Sequence, residues 1–251
     1  MTHGLLKDRI VLVTAAAGTG IGASTARRCM EEGATVVISD AHARRLDETA
    51  DALAAQFGTR PVTAVCDVTN QEQVDAMFAT AIAAHGHIDV LVNNAGLGGT
   101  ADLVEMTDAQ WHKVLDVTLT GTMRCSRAAL QHMLPRKSGV IVNNASVLGW
   151  RAQKGQSHYA AAKAGVMALT RCSAVEAAPE GIRINAVAPS LAMHAFLHKV
   201  TTPDLLRELE GREAFGRAAT PDEIANVILF LASDLSSYMT GEVISVSSQH
   251  P

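Results

Sequence analysis

Ser146, Tyr159 and Lys163 stand close together in the stretch SVLGWRAQKGQSHYAAAK, and their types and spacing suit proton transfer. Tyr159 and Lys163 are four apart, so on a helix they share one face, while Ser146 closes the β-branched run GVIVNNA. A phenol with a pKa near 10 is a poor base at neutral pH. A neighbouring ammonium favours the phenolate, and a shift of about three units corresponds to roughly 4 kcal/mol. Tyr159 could then exchange a proton with an alcohol or carbonyl oxygen that the Ser146 hydroxyl also hydrogen-bonds. A surface tyrosine beside a solvated lysine is the plainer alternative.

Carbon-centred redox at such an oxygen needs a hydride carrier. The stretch TAAAGTGIG, Thr14 to Gly22, follows the first β-branched run, and its Gly18, Thr19, Gly20, Ile21 and Gly22 fall where a strand turns into a helix. Backbone amides and a helix N-terminus there can hold a pyrophosphate, although the same glycines suit an ordinary tight turn. Asp40, at the end of VVISD about 20 residues on, suits an adenosine ribose and repels a 2′-phosphate. NAD is therefore expected ahead of NADP, with His42, Arg44 and Arg45 close by in the sequence. Asp40 as a helix N-cap is the other reading. Further strand ends carry Asp67 and Val68, then NNAG at Asn93 to Gly96, so that successive strand termini outline one crevice.

The elements that must position these residues alternate. IVLVT, TVVIS, VTAVC, IDVLV, GVIVNNA, RINAVA and EVISVS read as seven strands. Helices are expected at Gly22–Glu32, Arg44–Phe57, Gln71–Ala84, Thr107–Met133, Ser157–Ala178 and Asp222–Ala232, with Gly33 and Gly58 as stops. Alternation of this kind builds βαβ units, and nearly continuous apolar strands imply helices on both faces of a parallel sheet. The fold class expected is α/β, a single-domain, doubly wound parallel sheet of seven strands spanning 1–251. Leu191 to Thr220 has no strand signal and reads as a lid over the site, in short helical pieces.

With 251 residues, 48 % of them hydrophobic, and a net charge of −4, the chain can bury one large core and has no basic footprint for nucleic acid or anionic lipid. No segment reaches the ~20 apolar residues of a membrane span, and the N-terminus lacks a signal-peptide core. Cys29, Cys66, Cys125 and Cys172 are scattered without metal-ligand spacing, which points to buried thiols, a reducing compartment and no metal. A cytoplasmic location is expected.

The glycine turn, Asp40, the DV pair, NNAG, Ser146 and YAAAK together resemble the short-chain dehydrogenase/reductase family, in order and spacing over essentially the whole chain. The resemblance implies a Rossmann-like fold, a nicotinamide cofactor, alcohol–ketone interconversion by hydride transfer and a homotetramer or dimer. It gives Ser146, Tyr159 and Lys163 catalytic roles, and sets Asp67 and Val68 near adenine. Asn94, Ala95 and Gly96 would run along the ribose, with Lys163 also on the nicotinamide ribose.

Three departures stand out. Alanine (Ala15 or Ala16) occupies a position of the turn where glycine is usual. Thr118 stands where a helix asparagine commonly completes a proton relay. After Pro189 the usual Pro-Gly and later threonine become Ser190 and His194, which would approach the nicotinamide. Met193 and Phe196 would add an apolar wall, with Trp150 and Gln156 also at the substrate. Longer stretches, among them NNASVLGWRAQ and SHYAAAKAGVMALTRCSA, look like the steroid-degrading branch of the family. That implies a secondary alcohol on a cyclic, steroid-derived acid or its CoA thioester, oxidised to the ketone, with Arg151, Lys154 or Lys199 meeting the acidic part. A 3-oxoacyl thioester reductase and a non-catalytic dinucleotide sensor are the competing expectations.

Overall fold

A computed structural model describes residues 3–193 and 202–248. Its strands are β1 (Ile10–Val13), β2 (Thr35–Asp40), β3 (Val62–Val65), β4 (Val90–Asn93), β5 (Gly139–Asn144), β6 (Ile182–Pro189) and β7 (Val243–Val246). All pair in parallel in one sheet, in the order β3-β2-β1-β4-β5-β6-β7. The doubly wound seven-stranded sheet is as expected. Chain order reverses between β1 and β4, and a switch point of this kind opens a crevice beyond the carboxyl ends of the strands.

The helices are α1 (Ile21–Glu31), α2 (Ala43–Phe57), α3 (Gln71–His85), α4 (Asp108–Leu115), α5 (Gly121–Met133), α6 (Ser157–Ala177), α7 (Pro203–Gly211) and α8 (Pro221–Ala232). Successive residues of β1 enter opposite layers. Val11 and Val13 pack with Ala26 and Cys29 of α1 and Ile228 and Leu229 of α8, whereas Leu12 joins Met77 and Phe78 of α3 and Cys125 and Met133 of α5. Because both faces are covered, the strand reads as an unbroken apolar run, and each large side chain buried this way stabilises by about 1.5–3 kcal/mol.

Gly33 and Gly58 take positive φ, +89° and +75°, where α1 and α2 stop. The long helix expected from Thr107 to Met133 is instead interrupted by a π turn at Asp116–Thr120. Two contacts that periodicity does not encode accompany the widened turn. Gly121 lies so close to Val68 that an added Cβ would sit 2.6 Å from its Cγ2, and the Thr118 hydroxyl is tied to the main chain of Leu97.

Within the stretch expected as a lid, Ala192 forms an isolated parallel bridge with Ala219, and α7 is capped by Thr202. His194 and Phe196 lie outside the described residues. Cys29, Cys66 and Cys125 are buried free thiols, but Cys172 is exposed, on the outer face of α6, contrary to the expectation for it. Among the described residues no helix is long and apolar enough to cross a membrane, and no three side chains gather as metal ligands.

Candidate active site

The turn after β1 leads into a helix N-terminus open to solvent on one side. α1 starts from Gly20 without a side-chain cap, so the amides of its first turn have no side-chain acceptor there, and the helix dipole adds partial positive charge. An added Cβ at Gly22 would lie 2.4 Å from Ala15 O and 2.6 Å from Asn94 Nδ2, whereas Gly18 and Gly20 have nothing within 4 Å. Helix and turn thus touch on one side and leave open space on the other, a cradle that fits a pyrophosphate. Ala15 adopts φ of +50°, the left-handed conformation for which glycine is usual. Thr19 is exposed, and Ile21 packs against the core.

Asp40 is not the N-cap of α2; His42 is. Its carboxylate accepts from Ala17 N at 3.2 Å and from His42 N at 2.9 Å, tying the end of β2 to the glycine-rich turn. Asp67 is exposed, with Oδ1 held by the Thr69 amide and hydroxyl at 2.9 and 2.8 Å. Val68 is buried against Gly121.

At the end of β4, the Thr14 hydroxyl accepts from Asn94 N at 2.9 Å and Ala95 N at 3.2 Å. Two asparagine pairs then cross between β4 and β5. Asn93 donates to Asn143 at 2.8 Å, and Asn143 to Thr170 at 2.9 Å, on one face of the sheet. On the other, Asn144 donates to Asn94 at 2.9 Å and Asn94 to Ala15 O at 3.0 Å. Sequence reasoning missed Asn143 and Asn144. The repeated tripeptide in NNAG and NNAS, closing strands that turn out to be neighbours, was the available signal.

Ser146, Tyr159 and Lys163 converge at the carboxyl end of β5. Ser146 is buried at the start of a short 3₁₀ turn, Val147–Gly149, and its side chain hydrogen-bonds Tyr159. Lys163 Nζ lies 5.5 Å from the Tyr159 ring centroid and donates to Asn144 O at 2.5 Å. An added Cβ at Gly96 would lie 3.5 Å from Lys163 Nζ and 3.9 Å from Thr118 Oγ1, which brings Thr118 to the same spot. However, the Thr118 hydroxyl donates to Leu97 O at 3.2 Å and accepts from Leu97 N at 3.0 Å, so its single proton is spent on the loop after β4.

Burial, rather than mutual charge, dominates the titration of the pair. Burial pushes the Tyr159 phenol up to about 12, against the lowering effect of the Ser146 hydrogen bond. Burial also pushes the Lys163 ammonium down to about 8. The expected phenol acidified by its lysine is therefore not what this geometry produces. Each group leans to its neutral form because burial takes it out of water. Burial therefore favours a protonated phenol at neutral pH.

The residues expected at the substrate are more dispersed. Trp150 is half-exposed. Gln156 Nε2 donates to Gly99 O at 2.8 Å and Thr100 Oγ1 at 3.2 Å, stapling the 97–101 loop. Lys154 pairs with Asp102 at 3.2 Å. Pro189 ends β6, and Met193 N donates to Ala219 O at 2.8 Å.

A switch-point crevice with an anion cradle at one end and a Ser–Tyr–Lys cluster at the other defines a dinucleotide-fold oxidoreductase. A family model described as enoyl-(acyl carrier protein) reductase matches residues 15–248, and the chain belongs to the short-chain dehydrogenase/reductase family of enzymes. It is 63% identical over 250 residues to (5R,7aS)-5-hydroxy-7a-methyl-1-oxo-2,3,5,6,7,7a-hexahydro-1H-indene-carboxyl-CoA reductase of Mycobacterium tuberculosis, covering 99% of this chain and 95% of that protein. It is 43% identical to cis-4-hydroxycyclohexanecarboxylate dehydrogenase of Sinomonas cyclohexanicum, covering 95% of each. The crystal structure of a short chain dehydrogenase from Mycobacterium smegmatis superposes with a TM-score of 0.88 at 60% identity, covering 100% of this chain and 96% of that one.

Proposed function

We propose that this enzyme interconverts a ring ketone and a secondary alcohol on a cyclic, steroid-derived acid carried as its CoA thioester, with NAD as the cofactor and NADP as the alternative. The observation that carries the reading is the Tyr159 hydroxyl bonded to Ser146 with Lys163 beneath it. Similarity to a reductase of an indene-carboxyl-CoA and to a dehydrogenase of a hydroxycyclohexane acid supports the alicyclic substrate.

Gly18–Gly22 would hold the pyrophosphate of a dinucleotide, Asp40 its adenosine ribose, and Asn94, Ala95, Gly96 and Lys163 its other end. When bound there, such a group would supply hydride to the carbonyl carbon or accept it from the alcohol. Ser146 orients the substrate oxygen, and Tyr159 delivers the proton. Similarity to a reductase supports ketone reduction, rather than the expected alcohol oxidation, as the direction we assign, and a phenol that burial keeps protonated at neutral pH is ready to deliver that proton. The chain works as one domain, 1–251, with 191–220 as its lid, in a cytoplasmic homo-oligomer. A linear 3-oxoacyl thioester reductase is the second reading, favoured by 39% identity to the 3-oxoacyl-[acyl-carrier-protein] reductase FabG of Thermotoga maritima, covering 96% of this chain and 96% of that protein.

A spectrophotometric screen of NADH and NADPH oxidation tests these readings, using bicyclic steroid-derived ketone thioesters, simple cyclic ketones and linear 3-oxoacyl thioesters. Turnover preferring the bicyclic thioester is expected. Preference for the linear substrates rejects the alicyclic assignment.

A further inference from the structure

We propose that Asn144 is a positioning residue that links the glycine-rich turn to Lys163, so that seating of the dinucleotide and placement of the ammonium are set together. This rests on the reading of the turn and of Lys163 given above.

The polarity of the link is forced. Ala15 C=O can only accept, so Asn94 must present Nδ2 to it at 3.0 Å. Asn94 Oδ1 therefore faces β5, and Asn144 must answer with its own Nδ2, at 2.9 Å. That orientation leaves Asn144 Oδ1 buried without a hydrogen-bond partner. An apolar strand residue would avoid this cost, so retention of an amide here is explained by the donor it supplies. The main-chain oxygen of the same residue accepts Lys163 Nζ at 2.5 Å. There is no slack at the other end, because a Cβ at Gly22 would lie 2.6 Å from Asn94 Nδ2. Asn143 serves the opposite layer, toward Asn93 and Thr170, so strand alternation gives the two adjacent asparagines different tasks.

The test is NADH binding by fluorescence titration, with the pH profile of kcat, on the whole folded protein. Asn144→Leu removes the donor, and the NADH dissociation constant is expected to rise roughly three- to tenfold. Asn144→Thr keeps a hydroxyl that can donate to Asn94 and should recover most of that loss. Asn144→Asp is nearly isosteric without the donor and should weaken NADH binding as leucine does, and in both the leucine and aspartate variants loosening of the main-chain oxygen that accepts Lys163 should move the alkaline limb of kcat to lower pH, a change a merely structural role would not produce. Should Asn144→Leu fail to fold, the threonine and aspartate variants carry the test. NADH affinities equal to wild type with an unmoved alkaline limb overturn the inference. If wild-type protein bound no NADH, or Tyr159→Phe kept full turnover, the underlying reading would fail and this inference with it. Wild-type binding and an inactive Tyr159→Phe beside Asn144 variants that match wild type would reject this inference alone.

Discussion

A phenol and an ammonium buried in the same crevice divide the chemistry between them. Burial pushes the Tyr159 phenol up to about 12, which keeps it protonated, and the Lys163 ammonium down to about 8, which brings the loss of its charge toward the working range. Ketone reduction should therefore fall as pH rises through about 8, when the ammonium that stabilises charge developing on the phenol is neutralised; a pH–kcat series with saturating ketone checks this. Tyr159→Phe keeps the ring and removes the proton donor. Its turnover should drop by about 10²-fold or more, with NADH affinity within a few-fold of wild type, measured by fluorescence titration. Asp40 accepts two main-chain amides beside the turn. Asp40→Ala should accordingly relax discrimination against NADP, read as the ratio of kcat/KM values for the two cofactors.

At the scale of elements, the site depends on irregularities in otherwise regular pieces. The π turn between α4 and α5 presents Thr118 to both polar atoms of Leu97, fixing the loop that continues from NNAG. Thr118→Val keeps the shape and removes the hydroxyl, leaving a partly buried amide without its acceptor. A loss of about 1–3 kcal/mol in denaturant unfolding is expected. The turn after β1 carries strain of another kind. Ala15 sits at φ +50°, and because left-handed backbone costs about 1–2 kcal/mol for a residue with a Cβ, Ala15→Gly should raise the melting temperature or leave it unchanged despite the greater freedom of the unfolded chain.

For the whole molecule, the sheet separates two polar ends. Opposite the crevice, at the amino end of β4, Asp89 accepts from Ile10 N at 2.9 Å and pairs with Arg136 at 3.3 Å and His87 at 3.2 Å. His132 Nε2 accepts from Ile88 N at 3.2 Å, which requires an unprotonated nitrogen. Burial first, then the Arg136 cation, holds His132 below its usual value. The folded state thus prefers neutral His132, so its contribution is intact above about pH 6.5 and is lost as pH falls toward the lower folded value. Unfolding free energies compared at pH 7.5 and 5.5 should show a slope that His132→Gln, with an amide oxygen for Ile88 N–H, makes shallower. By itself the sequence determined the parallel sheet, the glycine turn and the Ser146–Tyr159–Lys163 cluster. Strand composition, turn residues and helical spacing are local properties that survive reading one residue at a time. Tertiary structure alone decided that Thr118 clamps a loop, that Gln156 staples Gly99 and Thr100, that Asn94 meets Asn144, and that the phenol is less acidic rather than more. Each of these depends on which distant atoms replace water around a polar group, and only packing in three dimensions sets that.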